Sequence, residues 1–274
     1  MSGTPRLAYS PGVLEELRIT PGEPARLAER DPRDRIGLEK DVAQEKTAAL
    51  RDRIDELQYL LHAEGRRAVL LVLQGVDASG KDGVIRRVFD GVNPQGVRVV
   101  SFKAPVGAEL AHDYLWRIHA ALPPRGTIGV FNRSHYEDVV TVGVLGLAPK
   151  EVWKRRGGHI REFERMLVDE GTAIVKLFLN VSKEEQDERL QERIDDPAKR
   201  WKFRPGDLEV SKRYDEYLAG YDAAITETST EWAPWHVVPA DRNWVKAYAT
   251  AAIVCDVLER LDPKLPEAPP AEER

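Results

Sequence analysis

The sequence predicts an α/β protein whose strands lie parallel in one sheet, with helices packed between them. Three observations carry this reading. Short, wholly apolar runs recur along the chain, helix-forming segments separate them, and the first run leads directly into a glycine-rich turn that opens a helix. Strands that alternate with helices indicate βαβ units and hence a parallel sheet.

Residues 1–36 are rich in Pro, Gly and Arg without clear periodicity, and read as an N-terminal arm lying over the domain or partly loose. A long amphipathic helix is expected over 38–64. Leu38, Val42, Leu50, Ile54, Leu57 and Leu61 fall on one stripe, and Gly65 is a stop signal. The apolar run 68–73 is short and followed by glycine, the pattern of a strand buried on both faces. Similar runs at 97–102, 127–131, 173–179 and 236–238 supply the other strands. Helices are expected near 82–89, 109–121, 151–170, 183–194, 211–228 and 244–261. No internal repeat is found. The prolines among Glu and Ala over 263–274 predict a disordered tail.

The 274 residues suffice for one large α/β domain or two small ones. A formal net charge of -5 argues against general nucleic-acid binding, which calls for a basic domain. Cys255 is the only cysteine, so no intrachain disulfide can form, and its apolar surroundings predict a buried small hydrophobe. No aliphatic run is long enough to span a membrane, and the N-terminus lacks the order of a signal peptide. The expected location is the cytoplasm.

The most specific local signal is the stretch Gly75, Val76, Asp77, Ala78, Ser79, Gly80, Lys81, Asp82, Gly83. It has the GxxxxGK spacing between a predicted strand and a predicted helix. Glycines let the chain wrap with its N–H groups inward, and the helix N-terminus adds partial positive charge, so the loop cradles phosphate oxygens. Lys81 supplies a point charge to a transferring phosphate. The usual motif ends in a hydroxyl residue, whereas here Asp82 follows the lysine. Asp77, an acid among phosphate-binding amides, reads as a Mg²⁺ ligand or as the group that orients an acceptor oxygen. The bland alternative for it is a turn-stabilising Asp.

The third strand runs into Asn132, Arg133, Ser134, His135, Tyr136, Glu137 and Asp138. Ligands of open α/β sheets bind at the carboxyl ends of strands, so this cluster is expected to face the phosphate loop. Asp138 and Glu137 are candidates for Mg²⁺ ligation or acceptor activation, Arg133 for forking onto phosphate, and Asn132 for bonding phosphate or ribose. His135 and Tyr136 read as packing groups, and the other histidines show no ligand spacing. Two basic runs stand out, 154–161 and 199–204, the second with aromatics interleaved and placed after the fourth strand and its helix, where nucleoside-type kinases carry a mobile lid. Arg189 and Arg193 lie one helical turn apart on the helix leading there and are expected to face the same ligand. Both runs can also be read as solvated faces.

Together these motifs resemble the polyphosphate kinase type 2 family. The resemblance rests on residues 75–83 and 131–138, with the stretches 93–96, 101–103, 112–117 and the segment 196–202. It spans roughly 75–261 and the helix before it. It implies a P-loop kinase (thymidylate-kinase-like) parallel sheet flanked by helices, in a domain over 37–262 with a helical lid near 183–210. It implies Mg²⁺-dependent, reversible phosphoryl transfer between inorganic polyphosphate and adenine or guanine nucleotides, by a homo-oligomer. Carried over, Asp77 and Asp138 become metal and acceptor-phosphate residues, and Lys81 sits at the transferred phosphate. Asn132, Arg133 and Glu137 belong to the nucleotide side, while Arg193, Lys199, Arg200 and Lys202 grip polyphosphate or the reacting phosphates. Glu137 and the 112–117 stretch look like the subgroup accepting both AMP and ADP. The competing readings are an ATP-dependent small-molecule kinase of the same fold, a nucleotide-dependent switch, and a non-catalytic polyphosphate-binding module. No Asn-Lys-x-Asp guanine-reading sequence supports the switch, and carboxylates at the phosphate site disfavour pure anion binding.

Overall fold

The computed structural model describes residues 9–202 and 205–267, so expectations for 1–8, for Phe203 and Arg204, and for the tail over 268–274 lie outside it. Its five strands are β1 (Ala68–Gln74), β2 (Val97–Ser101), β3 (Ile128–Asn132), β4 (Thr172–Asn180) and β5 (Trp235–Pro239). All pair in parallel in the order β2-β3-β1-β4-β5. The helices are α1 (Pro11–Leu17), α2 (Lys40–Glu64), α3 (Lys81–Val88), α4 (Trp116–Ala121), α5 (Val140–Leu145), α6 (Lys150–Lys154), α7 (Arg156–Asp169), α8 (Lys183–Asp195), α9 (Pro205–Lys212), α10 (Tyr214–Thr228) and α11 (Asn243–Leu261). No helix among the described residues is long and apolar enough to cross a membrane.

The parallel, helix-flanked sheet predicted from the apolar runs is the sheet that forms. Every residue of β1 is buried, as a central strand covered on both faces requires. Helix α11 packs on α2, α3, β4 and β5, and Cys255 on it is buried. Helix α2 stops where Gly65 turns left-handed at φ 64° and returns its N–H to Leu61 O at 3.1 Å. Its buried stripe runs through Ala43, Leu50, Ile54, Leu57 and Leu61. Val42, expected on that stripe, is exposed instead. Residues 9–36 run over β5, α10 and α11. Ile19 N–H donates to Trp235 O at 2.8 Å, Leu27 N–H to Asp222 Oδ1 at 2.7 Å, and the Tyr9 hydroxyl to Glu259 Oε2 at 2.9 Å. Leu14, Leu17, Ile19 and Leu27 are buried there, each contributing about 1.5–3 kcal/mol.

Several expected elements differ in the structure. Strand β2 lies at the sheet edge, so Arg98, Val99 and Ser101 are exposed rather than buried. The helix expected at 109–121 breaks into a 3₁₀ turn (Gly107–Ala111) and α4. Asp113 Oδ1 accepts from Leu115 N–H at 2.9 Å and Glu109 Oε2 from Val106 N–H at 3.1 Å. Such local bonds compete with helical ones. The helices expected at 151–170 and 211–228 are each interrupted, at Arg155 and at Arg213.

One polar network sits in the core. Lys176, on β4, is fully buried and donates to Glu164 Oε2 (2.6 Å), the Tyr136 hydroxyl (3.0 Å) and Thr228 O (2.8 Å). The Tyr136 hydroxyl donates to Glu164 Oε1 at 2.8 Å, and His135 Nε2 lies 3.4 Å from the same atom. These bonds tie β4, α7 and the end of α10 to the turn His135–Asp138, where the acidic cluster lies. Glu164→Leu leaves a buried ammonium uncompensated and should lower stability by about 3–5 kcal/mol, read as a reduced urea midpoint. Adding Lys176→Met should recover most of that loss.

Candidate active site

The phosphate loop is the turn between β1 and α3, the junction marked by the GxxxxGK spacing. Gly75 takes φ 149°, and a Cβ there would lie 2.8 Å from Ser79 Oγ and 2.9 Å from Leu179 O. Gly80 takes φ 96° at the N-cap of α3, where a Cβ would collide with Lys246 Nζ. Ala78 is left-handed too, at φ 61°. Lys81 folds back into the loop, where Nζ donates to Gly75 O (2.7 Å), Val76 O (3.2 Å) and Ser79 Oγ (3.3 Å). Burial, reinforced by Arg133, pulls its ammonium down to about 8 against the pull of Asp77 and Glu137. Asp82, on the first turn of α3, accepts from Asn132 Nδ2 at 2.6 Å. Asn132, assigned from sequence to phosphate or ribose, thus joins the end of β3 to α3 in this conformation.

Arg133 follows β3 with a left-handed backbone, φ 63°. Its N–H donates to Leu73 O at 3.0 Å, continuing the register that sets Leu73 beside Asn132. One guanidinium nitrogen bonds Asp77 Oδ1 and the other donates to Glu137 Oε2 at 3.0 Å. Glu137 further raises the already high pKa of Arg133. Glu137 Oε2 also accepts from Thr141 Oγ1 at 2.7 Å, and the Tyr221 hydroxyl lies 3.4 Å from Oε1. Only part of the cluster expected to face the loop lies there: Asp77, Arg133 and Glu137 form one ladder, while His135 and Tyr136 turn into the core.

Asp138, the next residue, turns to a separate wall. Arg117 Nη2 reaches its Oδ2 at 3.4 Å, and Arg156 donates to its carbonyl at 2.6 Å. Burial raises the Asp138 carboxyl, while Arg117 and Arg156 pull it down. The Arg156 guanidinium lies 4.6 Å from the centre of the Tyr114 ring. Glu109, Tyr114, Arg117, Asp138, Arg156 and His159 line a pocket here. Sequence reasoning left the 154–161 run ambiguous and gave Tyr114, Arg117 and Glu109 no individual roles. The available signal was an arginine and two aromatics within 112–117, ahead of the third strand.

Arg189, expected to face a ligand together with Arg193, bonds the back of the phosphate loop in this structure. Nη1 donates to Ala78 O (3.0 Å) and Ser79 O (3.1 Å), and Nη2 to Ala240 O (2.9 Å) and Asp241 O (2.7 Å). Nε donates to Glu185 at 2.8 Å. The loop carbonyls that point away from the phosphate side need donors, and Arg189 supplies them from α8. Gln186 Nε2 adds a bond to Asp77 O at 3.0 Å. Arg193, one turn on, pairs with Asp207 at 3.7 Å. Lys199 pairs with Glu192 and Asp196, and Arg200 Nε donates to Ile194 O at 3.1 Å. These partners belong to the same segment. Lys202 ends the turn Arg200–Lys202.

Mg²⁺ takes oxygen ligands and is usually held by one or two carboxylates together with substrate phosphates. Among the described residues no group of three or more His, Cys, Asp or Glu is placed to hold a metal. The available donor set is Asp77 at the loop and Asp138 at the pocket, with side chains 21% and 12% exposed. Both are hard oxygen donors of the kind Mg²⁺ takes, Asp77 at the phosphate loop and Asp138 on the pocket wall.

The Polyphosphate kinase 2 family model matches residues 37–266. The chain is 52% identical over 263 residues to the AMP/ADP-polyphosphate phosphotransferase of Meiothermus ruber, covering 95% of this chain and 98% of that protein. It is 45% identical to the ADP-polyphosphate phosphotransferase of Rhodopseudomonas palustris, over 80% of each. The crystal structure of polyphosphate kinase 2 from Arthrobacter aurescens TC1 superposes with a TM-score of 0.91 at 42% identity, covering 98% of this chain and 96% of that one. The parallel sheet with its phosphate loop is the P-loop kinase fold.

The Lys81 ammonium, pulled down to about 8 by burial and Arg133, loses its charge gradually as pH rises through that range. Affinity for tripolyphosphate, measured by calorimetry from about pH 6.5 to 9.5, should therefore fall as pH rises through about 8. Lys81→Arg stays cationic throughout and should not show that fall beyond the ligand's own titration.

Proposed function

Because the chain belongs to the polyphosphate kinase 2 family, we propose that it transfers phosphoryl groups reversibly between inorganic polyphosphate and AMP or ADP. The observation that carries this reading is the paired arrangement around residues 133–138. Arg133 and Glu137 face the phosphate loop, and Asp138 faces the Tyr114–Arg156 pocket. Two anion-receiving places thus flank one short turn, as a donor phosphate and an acceptor phosphate require. Mg²⁺ dependence, homo-oligomeric assembly and action in the cytoplasm are part of this reading.

Phosphoryl transfer asks for positioning and charge neutralisation more than for covalent machinery. The polyphosphate end lies in the loop, its oxygens on the inward N–H groups and on Lys81. The nucleotide lies in the pocket, its ring system against Tyr114 and its phosphate between Arg117 and Arg156. The acceptor phosphate, with a second pKa near 6, is largely ionised at pH 7, so no strong base is needed. Arg133 turns from Asp77 to the transferring group and stabilises its equatorial oxygens. Asp77 and Asp138 would hold Mg²⁺, which neutralises phosphate charge when bound. The segment 183–210 acts as a lid that excludes water: Arg193 and Lys199 exchange their own acids, and Arg200 its bond to Ile194 O, for polyphosphate, with Lys202 joining them.

Purified protein with polyphosphate, Mg²⁺ and AMP should yield ADP and then ATP by chromatography. Lys81→Ala should reduce turnover by ~10²–10³-fold, and EDTA should abolish it. A requirement for ATP as donor would refute the reading. Tyr114→Ala should weaken AMP binding by about 1–2 kcal/mol, raising its KM roughly 5–30-fold with little change in kcat.

A further inference from the structure

Lys246, on the first turns of α11, is fully buried behind the phosphate loop. Its Nζ donates to Ser79 O at 3.0 Å and to Ala240 O at 3.1 Å, and it occupies the space a Cβ on Gly80 would need. Both of these hydrogen bonds go to carbonyls rather than to a carboxylate. Arg189 bonds the same two carbonyls from the other side, together with Ala78 O and Asp241 O. Two cations thus stand directly behind a loop that offers its amides to phosphate.

We propose that Lys246 is a positioning residue for phosphoryl transfer, acting through the loop peptides rather than touching substrate, with the end of a polyphosphate chain as the group it prepares the loop to hold. This rests on the functional reading above. The carbonyl of Ser79, which Lys246 bonds, shares its peptide unit with the N–H of Gly80. A cation on the carbonyl end polarises the unit and strengthens its N–H as a donor. The same bonds fix the loop to the end of β5, so the amides need not reorganise as charge develops. A purely structural need for donors at two carbonyls would be met by a neutral side chain at lower desolvation cost. Position 246 instead carries a titratable amine, which burial, with Arg189 and Arg87 nearby, pulls down to about 7 despite Glu185 and Asp241. A phosphate held at the loop draws that amine toward its charged form.

The test compares Lys246→Met, which removes the charge at similar length, Lys246→Gln, which keeps a donor without charge, and Lys246→Arg, which keeps the charge. Each is checked by circular dichroism and thermal melting, then assayed with polyphosphate and AMP. Lys246→Met and Lys246→Gln should lose at least about tenfold in kcat/KM for polyphosphate, with the AMP KM changed by less than about twofold. Lys246→Arg should recover to within about threefold of the parent. Folded Met and Gln variants with parental kcat/KM would overturn the proposal. So would a glutamine variant as active as the arginine one, since charge would then be irrelevant. If the methionine variant does not fold, the Gln and Arg pair decides. Tripolyphosphate binding is measured in parallel and should weaken at least about fivefold in Lys246→Gln. If the parent binds tripolyphosphate but turns over no polyphosphate, the functional reading falls, while this binding comparison still decides the role of Lys246.

Discussion

The site depends on one side chain that bridges two strand ends. Arg133 leaves β3 in a left-handed conformation, and its two terminal nitrogens are divided between Asp77 of the phosphate loop and Glu137 of the following turn. A lysine could not make that division, because it offers a point charge where a planar fork is needed. The bridge only spans the right distance because β1 and β3 are neighbours in register, Leu73 beside Asn132. Sheet order, register and a single strained residue together bring the acids to the phosphate loop. Glu137 is in turn held by Thr141, so the ladder is anchored at its far end.

Charge is distributed in layers around the loop. Lys81 lies within it, Arg133 beside it, and Arg189 and Lys246 behind it. A chain of net charge -5 therefore assembles a local cationic site from four separate elements. Bulk charge says little about such a site, because burial lets a few oriented groups dominate over many screened ones.

The sheet, its strands and the phosphate loop were legible in the sequence because apolar runs and a glycine spacing are local signals. The loop-to-Arg133 juxtaposition was also legible, since strand carboxyl ends converge in this class of fold. What was not legible depended on distant partners. Arg189 reads as a ligand-facing cation from its helical spacing with Arg193, but its partners are carbonyls of the loop and of the chain after β5. Lys176 sits in an apolar run and looks like a lapse in a strand until Glu164 on α7 is placed beside it. The break at 112–115 escaped periodicity because it is set by Asp113 and Glu109 bonding their own neighbours.

Helix α8 has two ends with different attachments. Its early residues are bolted to the loop and to the chain after β5 through Gln186 and Arg189, while Arg193 and the segment beyond it are tied to one another. From Arg189 to Asp195 is about 9 Å of helix, stiff over that length. On the proposed lid role, the helix would be a lever pivoted at the phosphate loop. A tilt of its far end would also load the carbonyls of Ala78 and Ser79, so closing the cover and tensioning the cradle would be one mechanical event.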